Sequence, residues 1–127
     1  MREIEFRGKL KRTGKWAYGN LNINKAGTTI ITPDETPLGT YGEVDSETVG
    51  QYTGKLDCKA NKIFEKDIVK GIRRTNQYEE YEYFEVKFHN GCFIAGNFNM
   101  HEFFDKFSHK EVIGNIYDNP ELLEKED

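Results

Sequence analysis

Long apolar runs are missing from this chain. None approaches the roughly 20 residues needed to cross a bilayer as a helix, so no membrane association is expected. The opening MREIEFRGK carries charge but no apolar core of a secretory signal, and a cytoplasmic protein with reduced thiols is expected. Cysteine is scarce: Cys58 and Cys92 show no CxxC spacing and are too few for a disulfide framework. Excess positive charge is also lacking. The net charge is −4, whereas a dedicated duplex-DNA binder carries a basic face to neutralise phosphates. Ser46 and Ser108 are the only serines, and neither lies in a nucleophile elbow. There is no phosphate-binding loop, no dinucleotide fingerprint and no internal repeat of solenoid period.

Aromatic residues stand against these absences. Only 36% of the 127 residues are hydrophobic and 31% are charged, yet there are nine Phe, seven Tyr and one Trp. Aromatic rings bury large areas each, so a modest number fills a core, and with β-branched residues they favour strands. Twelve Gly and three Pro suit many tight turns.

The chain in order reads as strands and turns. Ile4 and Phe6 alternate with Glu3, Glu5 and Arg7, and Leu10 continues the pattern to a turn at Thr13-Gly14. Arg2, Arg7, Lys9, Lys11, Arg12 and Lys15 make this segment basic, which reads as a solvated hairpin face. Trp16, Tyr18, Leu21 and Ile23 form a returning strand whose phase predicts a bulge at Gly19. A turn at residues 24–27 leads to the β-branched run Thr28 to Thr32. Breakers from Pro33 to Ser46 predict a mobile surface loop, about 33–46, that divides an N-terminal β-strand extension (1–48) from the main domain (49–127).

In the main domain, Val49 to Tyr52 is a short strand ended by Thr53-Gly54. A polar turn over residues 57–62 and an apolar step at Ile63-Phe64 lead to a strand from Asp67 towards Arg74. Asn76-Gln77 is a hairpin loop before the longest strand, Tyr78 to His89. Asn90-Gly91 predicts a two-residue type I′ turn, and Cys92 to Ala95 returns from it. Met100, Phe103, Phe104 and Phe107 fall at helical spacing behind the candidate cap Asn99. Val112 to Tyr117 is the last strand, Asn119-Pro120 opens a helical turn, and the acidic tail from Glu121 should fray. The expected core is Ile4, Phe6, Ile63, Phe64, Ile68, Val69, Phe84, Val86, Phe88, Phe93, Phe104, Val112, Ile113 and Ile116.

Candidate chemistry is sparse. His89 and Cys92, with His101 and His109 downstream, are the residues to weigh as zinc ligands. Across a two-residue turn, however, His89 and Cys92 are cross-strand neighbours with His89 facing away from Phe88, and Cys92 reads as a small buried hydrophobe. No metal or cofactor is expected. Glu79, Glu80, Glu82 and Glu85 read as a solvated strand face, and Asp57, Glu65 and Asp67 as turn builders rather than acid–base catalysts. Lys70, Arg73 and Arg74 on one strand, with Tyr81 and Tyr83 on the next, form the candidate interaction surface if those strands pair. Basic residues beside exposed rings suit single-stranded nucleic acid, but the glutamates between them oppose it. Packing or a subunit contact is the favoured role.

Four blocks, MREIEFRGK, QYTGKLDCKANKIFEKDIVK, VKFHNGCF and EVIGNIYDNPELL, resemble the YopX family of phages and prophages, chiefly of Gram-positive bacteria. That family's pattern resembles R-x-I-x-F-R, then Q-(Y/F)-T-G-x-x-D-x-x-G-x-x-I-(Y/F)-E-G-D-I-V, then V-I-G-N-I-(Y/H)-(D/E)-N-P-E-L-L. The chain departs from it at Asn61 and Lys66, where glycine is usual. Asn tolerates the left-handed conformation, whereas Lys66 would be strained there. The resemblance implies an SH3-like barrel over the main domain, phage or prophage origin and self-association as a homo-oligomer; the residue pattern adds one short helix near 100–107 and a C-terminal helical turn. The resemblance implies no catalytic residues. The expected function is therefore a non-enzymatic interaction module in the host cytosol with a host or phage protein partner. A nucleic-acid-binding accessory protein is the alternative, and a metal-dependent enzyme the third reading.

Overall fold

Alternating side chains and closely spaced turn residues give eleven short strands and one α-helix in the computed structural model, which describes residues 3–33 and 42–124. The chain divides into two compact units, Met1–Gly54 and Lys55–Asp127.

The first unit contains β1 (Phe6–Lys9), β2 (Trp16–Ile23), β3 (Thr29–Thr32), β4 (Gly42–Glu43), a 3-10 turn (Ser46–Thr48) and most of β5 (Gly50–Leu56). The strand order is β4-β3-β2-β1-β5. No bulge breaks β2: its first half pairs with β1 from Trp16 to Gly19 and its second half with β3 from Asn20 to Ile23, both without a register shift. Gly19 is needed for another reason, since a Cβ there would collide with the Thr32 carbonyl. The expected loop 33–46 is partly strand. Residues 34–41 lie outside the described residues, as do Arg2 and residues 125–127 of the acidic tail. Gly42 and Glu43, however, pair with Ile31 and Ile30, and Val44 is buried in a bridge to Leu10. The basic segment is not wholly solvated either: Arg7 is buried with its guanidinium 4.5 Å from the centre of the Trp16 ring. Ile4, expected in the core, is 54% exposed.

In the second unit β6 (Lys62–Phe64), β7 (Asp67–Arg74), β8 (Glu79–His89), β9 (Cys92–Ala95), β10 (Phe98–Asn99), α1 (Met100–Lys106), β11 (His109–Asn115) and a 3-10 turn (Pro120–Leu123) follow the end of β5. β5 continues through Gly54, which has φ 90°, rather than ending there. β7 to β11 form an antiparallel sheet in the order β10-β9-β8-β7-β11. The order has two ends, and so does that of the first sheet: the architecture is two antiparallel sheets and one short helix, not the closed barrel that was expected. Asn90 (φ 50°) and Gly91 (φ 81°) form the expected turn, placing His89 opposite Cys92.

Asn99 caps α1 with a full capping box: its side chain accepts from Glu102 N, and Glu102 accepts from Asn99 N. The helix then sets Phe103 and Phe107 against Phe84, with ring centres 5.1 Å away in each case and edge-to-face. Gly71 in mid-β7 makes room for these rings, since a Cβ there would lie 2.9 Å from Phe107 Cδ1. Ile63, Val69, Val86, Ala95 and Met100 complete this cluster. Phe88 was expected inside but is 55% exposed. Its strand runs past the helix cover, and its ring meets the half-buried Phe93 edge-on at 5.1 Å. Ile68, Phe64 and Phe84 are buried as expected, and Phe6, Phe93, Phe104, Val112, Ile113 and Ile116 are half-buried.

The turns explain the spacing of the motifs. Asp57 accepts from Lys59 N, Asn61 N and the distant Val112 N. The left-handed residue in this turn is Ala60 (φ 63°), three after Asp57 where the D-x-x-G spacing puts it, rather than Asn61. Lys66 does take a left-handed φ of 73°, beside the buried Asp67, whose carboxylate accepts from Phe64 N. At the other end, Asn115 Oδ1 accepts from Tyr117 N and Asp118 N, and Asn119 Oδ1 accepts from Asn115 N. Gly114 leaves space for that Asn119 side chain, so Asn119 supports the strand end rather than capping the 3-10 turn.

Candidate functional site

β7 and β8 pair through seven positions, and this brings the five candidate residues onto one hairpin. Lys70 lies opposite Tyr83, Ile72 opposite Tyr81, Arg73 opposite Glu80 and Arg74 opposite Glu79. Opposed residues share a face, and successive residues alternate. Lys70, Tyr81 and Tyr83 are therefore on one face with Arg74, and Arg73 is on the other, where its guanidinium lies 5.9 Å from the Phe107 ring centre. The five do not form one patch. Arg73 donates to Glu80 at 2.7 Å and Arg74 to Glu79 at 3.0 Å. The Arg73 guanidinium, with the Tyr78 hydroxyl, holds the Glu80 carboxyl below the usual carboxylate range.

Tyr81 is 60% exposed, with Lys70 Nζ 4.5 Å from its ring centre, and Tyr83 is half-buried 5.8 Å from it. The C-terminal turn reaches this face: Tyr81, Tyr83, Leu122 and Leu123 are among the residues lining a shallow cavity of about 320 Å³.

β11 extends the same face, because it pairs with the other side of β7. His109 lies opposite Ile72 and Glu111 opposite Lys70. Two rows thus cross the sheet, His109–Ile72–Tyr81 and Glu111–Lys70–Tyr83. At the outer end of these rows Cys58 enters from the Asp57 turn. Its Sγ is 3.2 Å from His109 Nε2, which is 4.0 Å from Glu111 Oε1. Lys59 Nζ holds the other Glu111 oxygen at 2.7 Å. The Glu111 carboxylate, hydrogen-bonded to the Lys59 ammonium, raises that lysine's pKa. Next to the cluster, Lys110 donates to Phe104 O at 3.1 Å and Phe107 O at 2.6 Å at the end of α1, and burial lowers its pKa.

The cluster differs from the cysteine–histidine set considered from sequence. Both cysteines are exposed, including Cys92, which was expected to be buried. Cys92 stays at its hairpin, His101 is exposed on α1, and His109 meets Cys58 instead. The partners are 51 residues apart, and only the pairing of the Asp57 turn with β11, seen in Cys58 N donating to Lys110 O at 2.8 Å, joins them. Asp57 and Asp67 are buried turn builders, Glu79 and Glu80 are paired with arginines, and Ser108 donates to Ile72 O.

Two antiparallel sheets, a capped seven-residue helix and carboxylate-built turns thus define a mainly β protein with a mixed polar and aromatic face on its second sheet. The family model described as YopX protein matches residues 5–124, and the chain belongs to the YopX family. Protein EF1440 from Enterococcus faecalis has a similar crystal structure, with a TM-score of 0.66 at 22% identity over 98% of this chain and 100% of that one. The crystal structure of protein yopX from Bacillus subtilis matches with a TM-score of 0.58 at 21% identity over 100% of both chains. Among curated proteins none matches the chain. These likenesses speak to the fold. No helix of the described residues is long and apolar enough to cross a membrane.

Proposed function

We propose that this chain is a phage- or prophage-encoded, non-enzymatic interaction module that self-associates in the host cytosol through the β7–β8 hairpin. One observation carries the reading: an exposed Tyr81 ring on a hairpin whose one strand is basic and whose other strand is acidic. Arg74 is paired with Glu79 within the hairpin, so a two-fold contact of this face would rest on the Tyr81 ring, with that ion pair at its polar rim. Arg74 and Glu79 flank the ring's end of the hairpin, and Lys70 and Tyr83 continue the same face. A two-fold contact would remove the Tyr81 ring from water, and tyrosine is enriched where one end of a ring is buried and the other hydrogen-bonds. A host or phage protein is a further partner in this reading.

Sedimentation of the whole chain over a range of concentrations tests this. The wild type should be an oligomer, and the double substitution Tyr81→Ser, Tyr83→Ser should shift it towards monomer with unchanged circular dichroism. A wild type that is monomeric at every concentration would sink the proposal.

Lys70 beside the Tyr81 ring supports the alternative reading, a nucleic-acid-binding accessory protein that stacks single-stranded bases. The ion pairs of Arg73 and Arg74 weaken it, because those charges are already partnered. Fluorescence anisotropy with a labelled oligonucleotide should show affinity falling as salt rises if this reading holds, and no salt dependence would exclude phosphate-driven binding.

A further inference from the structure

We propose that Cys58, His109 and Glu111 form a three-ligand site for a divalent transition-metal cation of the zinc type, with a fourth position open to water. The donor atoms all lie within 4.8 Å of one another. A tetrahedral zinc ion bound at about 2.0–2.3 Å from its ligands sets those ligands roughly 3.3–3.8 Å apart. The separations of 3.2 Å for sulfur to imidazole and 4.0 Å for imidazole to carboxylate lie close to that range, and with all three donors within 4.8 Å side-chain rotations would close the set around an ion.

The donor chemistry selects the class of ion. One thiolate, one imidazole and one carboxylate suit a borderline cation, whereas calcium and magnesium favour all-oxygen sets. Three protein ligands with an open position is also the arrangement of zinc sites that keep a water.

The ligands are held by backbone rather than left on free loops. His109 and Glu111 are two residues apart on β11, so both project from the same face, and β7 fixes their register. Cys58 is tied by its N–H to Lys110 O, and the preceding Asp57 carboxylate binds Val112 N of the same strand. One carboxylate thus locks the turn bearing the sulfur onto the strand bearing the other two ligands. Lys59 orients Glu111 by holding Oε2, which leaves Oε1 towards His109. The thiolate formed on binding and the Glu111 carboxylate bring two negative charges, which offset those of a divalent cation and leave the cluster with the single positive charge of Lys59. Cys58 and His109 are exposed, which gives the ion a path in.

The test uses the whole chain, purified reduced and stripped with chelator, with cobalt(II) as the spectroscopic probe and zinc as competitor. One equivalent of cobalt should give a thiolate-to-cobalt charge-transfer band that zinc displaces and magnesium does not. The band should vanish in Cys58→Ser and survive in Cys92→Ser. Affinity should fall at least about tenfold in His109→Gln and Glu111→Gln. Because the ligands bind deprotonated, affinity should also drop as pH falls from about 8 to about 6. Should Cys58→Ser disturb the turn, alkylation of Cys58 in the Cys92→Ser background gives a second readout, with zinc slowing the reaction. A wild type without the band, a band lost with Cys92 rather than Cys58, or alkylation unaffected by zinc would each overturn the proposal.

Discussion

The two units of this chain are filled by different means. The interior of the first is narrow and partly polar: Ile31, Val44 and Tyr52 share it with buried Arg7, Thr29 and Thr48. Its specificity comes from hydrogen bonds, as where Lys9 N donates to Thr48 Oγ1 at 2.8 Å and that hydroxyl donates to Asp45 O at 2.6 Å. The second is filled by phenylalanine. Phe84, Phe98, Phe103 and Phe107 stack mostly edge-to-face with ring centres from 5.1 to 6.1 Å apart. A low apolar content can thus be spent in two ways, as bonded small side chains around a few aliphatics, or as a few large rings. Losses in the second unit should be large and set by volume, and those in the first smaller and set by polarity.

The sharpest way to break this contrast is Phe103→Ala, which removes a fully buried ring and should cost about 3–5 kcal/mol in denaturant unfolding. A loss under about 1.5 kcal/mol would mean that the ring cluster does not dominate. Asp57→Asn should cost about 1–3 kcal/mol, since the carboxylate accepts three backbone N–H groups. Burial alone would raise the Asp57 pKa, but hydrogen bonds from Val112, Asn61 and Lys59 outweigh it and hold it below the ordinary value. The folded pKa is thus below the unfolded one. The stabilisation is complete above the unfolded value of about 3.9 and is lost as pH falls through the folded one. The variant should lose less stability than the wild type across that acid range, as unfolding curves from neutral pH downward would register. Thr48→Val keeps shape but leaves Lys9 N without its acceptor, and should cost about 1–2 kcal/mol. Phe88→Ala, the same chemical change as Phe103→Ala on a ring 55% exposed, should cost below about 1.5 kcal/mol. The smallest effect has the opposite sign: Lys66→Gly should stabilise by about 0.5–1 kcal/mol, because φ 73° is open to glycine.

Local chemistry made much of the second unit legible. Asn90-Gly91 reveals its hairpin because few other pairs accept two positive φ values in succession, and Asn99 with Glu102 reveals the helix start. Burial was harder to read. Phe84, Val86 and Phe88 alternate perfectly, yet only the first two lie under α1, and alternation carries no information on where a cover ends. In the first unit Val44 lies in a breaker-rich stretch with no periodicity, and its burial follows from pairing with Leu10, far back in sequence. The same holds for the candidate sites. Lys70, Arg73, Arg74, Tyr81 and Tyr83 were readable as one hairpin from a short loop, although the alternation splits them between faces. Cys58, His109 and Glu111 had no common local signal, because a carboxylate bridging residues 57 and 112 assembles them.

That bridge has a consequence for how the protein can polymerise. β11 is an end strand, and end strands invite addition of a further strand from another molecule. Here the outward Val112 N–H is occupied by Asp57 and the outward Lys110 carbonyl by Cys58 N. At this rim the backbone groups that a foreign strand would need are engaged by the chain's own turn. Growth into fibrils by strand addition along residues 110–112 is blocked while the turn is intact, and a second copy arriving at this rim meets side chains instead.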